Sequence, residues 1–147
     1  MPTVIHRAGD GETLPAGGSM VVLKATTEDT DDAFVFAESV VAAGFPGPPP
    51  HYHERLHDVF YVLEGTLTVL VGEEEHELGP GDFAHIAPGT VHTFSNPGET
   101  EVRVLNLSTP GGFDAYLREL SELMAGGDFD PAAVAEIAER YDIELAE

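Results

Sequence analysis

Two histidines one residue apart, His51 and His53, follow the run Pro48-Pro49-Pro50, and a third, His92, comes later in the chain. Successive side chains of an extended strand point to opposite faces, so residues i and i+2 share one. His51 and His53 therefore aim two imidazoles at one point, and Asp58 lies just downstream on the next strand-like run. Two or three neutral imidazoles plus a carboxylate, with coordination positions left open, hold a divalent metal for redox or Lewis-acid chemistry. Fe(II), Mn(II), Co(II), Ni(II) and Zn(II) all suit such donors, and one ion of this kind per chain is the expected cofactor. The chain has no cysteine, so a metal must use His, Asp or Glu. The imidazoles bind deprotonated, so affinity should weaken as pH falls through about 6.5, the ordinary imidazole value.

Composition narrows the function classes. The 147 residues suffice for one domain with a real core. Twenty-seven acidic residues against six basic ones give a formal charge of -21. Such a surface repels phosphate backbones and anionic headgroups, so neither nucleic acid nor membrane is an expected partner. No apolar run approaches the ~18 residues of a spanning helix. The N-terminal residues lack the charged-then-apolar layout of a secretory signal, and the expected location is the cytoplasm. The acid-rich stretches around Glu28 and Glu74 lack the alternating spacing of a calcium loop.

The site must be positioned by short strands. Residues 20–25, 34–41, 58–64, 66–71, 75–78, 83–86, 91–94 and 101–108 are rich in β-branched and aromatic side chains and are separated by Gly, Pro and acidic turns. Glu64-Gly65 is placed to make a tight hairpin turn. So many short strands argue for a sandwich or small barrel. After Thr109-Pro110-Gly111-Gly112 the period changes: Phe113, Tyr116, Leu117, Leu120, Leu123 and Met124 recur at helical steps. Asp130-Pro131 supplies an N-cap and a first-turn proline for a second helix, with Val134, Ile137, Ala138 and Tyr141 on one face. Both helices are expected to pack outside the β-domain as core cover or oligomer contact. The expected division is an N-terminal arm or edge strand over 1–18, a β-barrel over 19–109, and a helical segment over 110–147.

The residues around the histidines resemble the cupin family. That family's first motif is Gly, five residues, His-x-His, three or four residues, Glu, six residues, Gly; here His51-x-His53 is followed by Asp58 and Gly65. Its second motif, Gly, five residues, Pro-x-Gly, two residues, His, three residues, Asn, is matched by Gly81, Gly89, His92 and Asn96. Asp58 stands where the family has Glu, Phe45 where it has Gly, and Ala87 where it has Pro, with Pro88 one place later. The resemblance implies an all-β fold, a double-stranded β-helix (jelly-roll) barrel followed by two short α-helices. It also implies a metal held inside by His51, His53, the carboxylate at Asp58, and His92. Strand alternation puts Asp58, Phe60 and Val62 on one face and His57, Val59 and Tyr61 on the other. A one-residue register slip would exchange the faces, so His57 is a rival to Asp58 as fourth ligand.

Among cupins, the stretch from Tyr61 to Gly65 and the turn from Gly79 to Phe83 look like small bacterial quercetin 2,3-dioxygenase-like proteins. That likeness implies an oxidoreductase acting with O2 on a flavonol-type small molecule, Asp58 serving as catalytic base, in a homodimer. The alternatives are a metal-dependent isomerase or lyase, and a non-catalytic small-molecule-binding cupin. Phe34, Phe36, Phe60, Tyr61, Phe83 and Phe94 are candidates to line an aromatic pocket or simply the core. Of the remaining histidines, His76 should be solvated, His6 lies in the arm, and His85 is packed or exposed.

Overall fold

The structure, a computed structural model, describes residues 3–126 and 130–146. Residues 1–2 of the expected arm, and 127–129 and 147 of the expected helical segment, lie outside the described residues. The chain runs β1 (Glu12–Ala16), β2 (Ser19–Ala25), β3 (Val35–Val41), β4 (His51–Tyr52), β5 (His57–Glu64), β6 (Leu67–Val71), β7 (Glu74–Leu78), β8 (Phe83–Ile86), β9 (His92–Ser95) and β10 (Val102–Thr109). Two helices, α1 (Phe113–Ala125) and α2 (Pro131–Glu139), and a last strand β11 (Glu144–Leu145) follow. The strands form a six-stranded sheet in the order β1-β2-β3-β10-β5-β8 and a five-stranded sheet in the order β11-β4-β9-β6-β7. Every pairing is antiparallel, in the jelly-roll arrangement expected from the sequence.

One expected pairing is not made. Glu64-Gly65 joins β5 to β6, but β5 pairs with β10 and β8 whereas β6 pairs with β7 and β9. The turn carries the chain from one sheet to the other and closes no hairpin. Gly65 is required there, because its φ of +81° is left-handed and a Cβ would sit 2.7 Å from the Glu101 carbonyl oxygen. A second glycine is demanded two places after Phe45. Gly47 has φ +90°, and a Cβ on it would collide with the Phe94 carbonyl.

Between the sheets, Val41, Phe60, Val62, Leu67, Val69, Ile86, Val102 and Val104 form one buried cluster. Leu14, Val21, Leu23, Val35 and Ala37 form another, closed by Leu117 of α1. Asp130 caps α2 by accepting the Ala132 N–H, with Pro131 in the first turn. Asp114 at the start of α1 is 1% exposed and accepts the Thr27 N–H at 3.0 Å, tying the helix to the loop after β2. Among the described residues, no helix is long and apolar enough to cross a membrane.

Candidate metal centre

The proline run leads extended chain into β4; His51 at its start and His53 just past its end are both buried, and Tyr52 between them is not. His92 opens β9 and lies directly opposite His51 in the antiparallel register. The three imidazoles each offer a ring nitrogen within 4.8 Å of the others, and their centroids are 4.5 to 5.3 Å apart. All three Nδ1 atoms face main-chain carbonyls: His51 to Pro49 at 3.0 Å, His53 to Asp142 at 2.6 Å, and His92 to Thr90 at 2.9 Å. A carbonyl only accepts, so each Nδ1 carries the proton and each Nε2 presents its lone pair. Metal-binding histidines are oriented in this way. Among the described residues, His92 Nε2 is buried with no hydrogen-bond partner, a costly arrangement for a polar atom without a ligand. The residues present fit a divalent ion.

Asp58, 8% exposed, lies on the inner face of β5 beside this cluster. Its Oδ2 is 3.4 Å from His92 Nε2 and 3.9 Å from His53 Nε2. Donors bound at about 2.1 Å to one tetrahedral ion would stand about 3.4 Å apart, so this oxygen is spaced to share an ion with His92 and His53, while the three imidazoles alone form the tight donor group. Asn106 of β10 donates from Nδ2 to Asp58 Oδ1 at 2.7 Å and to the Val59 carbonyl at 3.0 Å. That bond turns Oδ2 toward the imidazoles. Asn106 escaped the sequence reading; its only signal was its place on the inward face of a strand that pairs with β5.

His57 is not part of the cluster. It is exposed on the outer face of β5, its ring stacked on His85 with Nδ1 2.9 Å from His85 Nε2. The register stands as the alternation implied, and the rival ligand points away from the site. His76 is exposed beside Glu74, and His6 is exposed. Asn96 is structural: Nδ2 donates to the carbonyls of Val41, Ala42 and Thr100. Pro88 and Gly89 occupy the middle of a turn closed by Thr90 N–H to Ala87 carbonyl, which presents His92. The one-place shift of the proline thus serves a Pro-Gly turn.

Burial pushes the His51 imidazole down to about 4, against a small opposing pull from the Pro49 carbonyl. Burial also works against the charged form of His92, but Asp58 and the Thr90 carbonyl outweigh it and raise His92 above its ordinary value. His51 is therefore ready to bind across the physiological range, while a proton competes for His92. A metal-affinity titration should show full affinity above the raised His92 value and weakening as pH falls through it, starting above 6.5. Affinity held constant well below that value would mean that His92 is not a ligand.

A cavity of about 270 Å³ opens beside the cluster. His51, Asp58 and Asn106 form its polar end, and Phe45, Phe60, Phe94, Phe113 and Tyr116 supply its aromatic walls. Only Phe60 and Phe94 of the six aromatic candidates reach it, whereas Phe34, Tyr61 and Phe83 are exposed. The helices do more than cover the core, since Leu117 and Leu120 of α1 and Val134 and Ala138 of α2 also line this cavity.

Residues 37–108 match the family model for the cupin domain. Over 129 residues the chain is 30% identical to the quercetin 2,3-dioxygenase of Bacillus subtilis (strain 168), covering 88% of this chain and 37% of that protein. The chain thus spans little more than a third of that relative. The polyketide cyclase RemF from Streptomyces resistomycificus superposes with a TM-score of 0.61 and 28% identity, over 74% of this chain and 79% of that one. An RmlC-like cupin from Shewanella frigidimarina NCIMB 400 shares the fold with a TM-score of 0.65 and 20% identity, over 78% and 96% of the two chains.

Proposed function

Because this chain belongs to the cupin family, we propose that it is a mononuclear metal-dependent oxidoreductase of the quercetin 2,3-dioxygenase-like type, acting with O2 on an uncharged aromatic small molecule. The observation that carries this reading is the meeting of three buried Nε2 lone pairs and a free carboxylate oxygen with an aromatic-walled cavity. His51, His53, His92 and Asp58 would hold the ion. When bound, the ion supplies Lewis acidity and, for Fe, Mn, Co or Ni, the one-electron chemistry that O2 requires. Asp58 Oδ2 takes the proton of the substrate hydroxyl, while Asn106 keeps Oδ1 occupied. Phe60 and Phe94, with ring centroids 5.6 Å apart, hold the aromatic ring and exclude water. Among the described residues, no Lys or Arg lines the cavity, so no side-chain cation there pairs with a phosphate or carboxylate.

A second reading is a metal-assisted isomerase or lyase, supported by the likeness to the polyketide cyclase. The two separate in one experiment. Protein loaded in turn with Fe, Mn, Co and Ni is given flavonols, and oxygen uptake is followed with product mass. Uptake with a product that carries both atoms of O2, its mass gain reduced by the carbon monoxide released on ring cleavage, is the expected result; conversion at unchanged mass without uptake favours the isomerase. Absence of uptake with every metal sinks the dioxygenase reading.

A further inference from the structure

His51 and His92 take their orientation from carbonyls two residues away in sequence, those of Pro49 and Thr90. His53 does not. Its Nδ1–H bonds to the carbonyl of Asp142, 89 positions along the chain. The side chain of the same residue accepts three main-chain N–H groups, from Glu54 at 2.6 Å, Arg55 at 2.8 Å and Leu56 at 2.9 Å. Those three residues belong to the linker from His53 to the strand that carries Asp58. Beyond Asp142 the chain stays on the barrel: Leu145 pairs opposite His51, and the Ala146 N–H donates to the Pro50 carbonyl at 2.9 Å. Ile143 and Leu145 also line the cavity.

We infer that Asp142 is a positioning residue of the three-histidine centre, through its carbonyl on His53 and its carboxylate on the 54–56 loop. The carbonyl sets which ring nitrogen of His53 is protonated and where Nε2 points. The carboxylate satisfies three N–H groups of a short connection and thereby holds His53 and Asp58 at a fixed separation. Each bond is ordinary, but together they place one end of the donor set under control of the C-terminal segment. A ligand pressing on Ile143 in the cavity would act through the next peptide on His53. The metal part of this inference rests on the function proposed above; the His53 proton placement does not.

The test uses the full chain and Co(II) as probe, with Asp142→Ala, Asp142→Asn and, as a structural control, Asp114→Ala. Asp114 is a buried carboxylate that accepts main-chain and side-chain donors from Thr27. Three quantities are read: melting temperature, Co(II) affinity with its visible spectrum, and imidazole nitrogen resonances of the metal-free protein. Asp142→Ala keeps the main-chain carbonyl but releases the 54–56 N–H groups that hold it against His53, and should weaken Co(II) binding by up to the about 10- to 100-fold that follows loss of an outer partner of a ligand. It should also shift the His53 nitrogens away from the Nδ1–H form. Asp142→Asn, which keeps one acceptor oxygen, should fall between and guards against simple misfolding. Asp114→Ala should lower the melting temperature and leave affinity, spectrum and His53 resonances as in wild type. If Asp142→Ala and Asp142→Asn lose only thermal stability, the positioning role is wrong while the metal centre stands. If wild type takes up no Co(II) but His53 still shifts in Asp142→Ala, the metal reading fails and the positioning role stands.

Discussion

His92→Ala is expected to abolish stoichiometric metal binding. The His92 side chain is 1% exposed and reaches the cluster from β9, opposite His51 on β4, with His53 just past the end of that strand. Its Nε2 is the one ring nitrogen of the three that is buried without any hydrogen-bond partner, and it also stands 3.4 Å from the Asp58 oxygen. Removing it takes a donor from the centre of the set and leaves Asp58 without its nearest imidazole. The affinity loss should exceed the roughly 10- to 100-fold that follows loss of an outer partner. Thermal unfolding with added metal supplies the second readout. A ligand at 100 times its Kd stabilises a folded protein by about 2.7 kcal/mol, so the wild-type melting temperature should rise with metal. The variant's should not. One equivalent of metal retained by His92→Ala after desalting would remove this residue from the site.

Asp58→Asn is expected to cut turnover by about 10²- to 10⁴-fold, the usual contribution of a positioned general base. The substitution preserves shape, and the amide oxygen can still accept from Asn106 Nδ2 in place of Oδ1. The group then nearest His92 becomes an NH2, which cannot take a proton. Metal content measured on the same sample separates the two roles assigned to Asp58. Metal kept with turnover lost identifies the base, whereas metal lost together with turnover makes the carboxylate chiefly a ligand. Full turnover in Asp58→Asn would leave the proton step to another group and overturn the proposed role.

Much of this centre was legible in the sequence because it obeys a local rule. The alternation of a strand sends residues i and i+2 to one side, and His51 and His53 are both buried around a half-buried Tyr52. The same alternation separated Asp58 from His57, and the burial of Phe60 and Val62 on the Asp58 side pins the register. The helical steps from Phe113 to Met124 and the Asp130-Pro131 cap located α1 and α2, again from contacts within a turn or two.

The tertiary structure decided whatever depends on which distant segments meet. Gly65 marks a turn in any reading, but only the pairing of β5 with β10 and of β6 with β9 makes it a crossing between sheets. The apolar stripe of α1 signals burial without saying against what; in the fold it walls the cavity beside His51 and Asp58. Asn106 and Asp142 carry no motif, since a hydrogen bond to Asp58 or His53 leaves no spacing signature when its partner is 48 or 89 residues away. A period records what one residue does to its near neighbours, and a donor set with its orienting partners is completed by long-range pairing. The sequence by itself therefore determined the candidate donor types and their facing, and the packing of the two sheets and the C-terminal segment determined how those side chains are held.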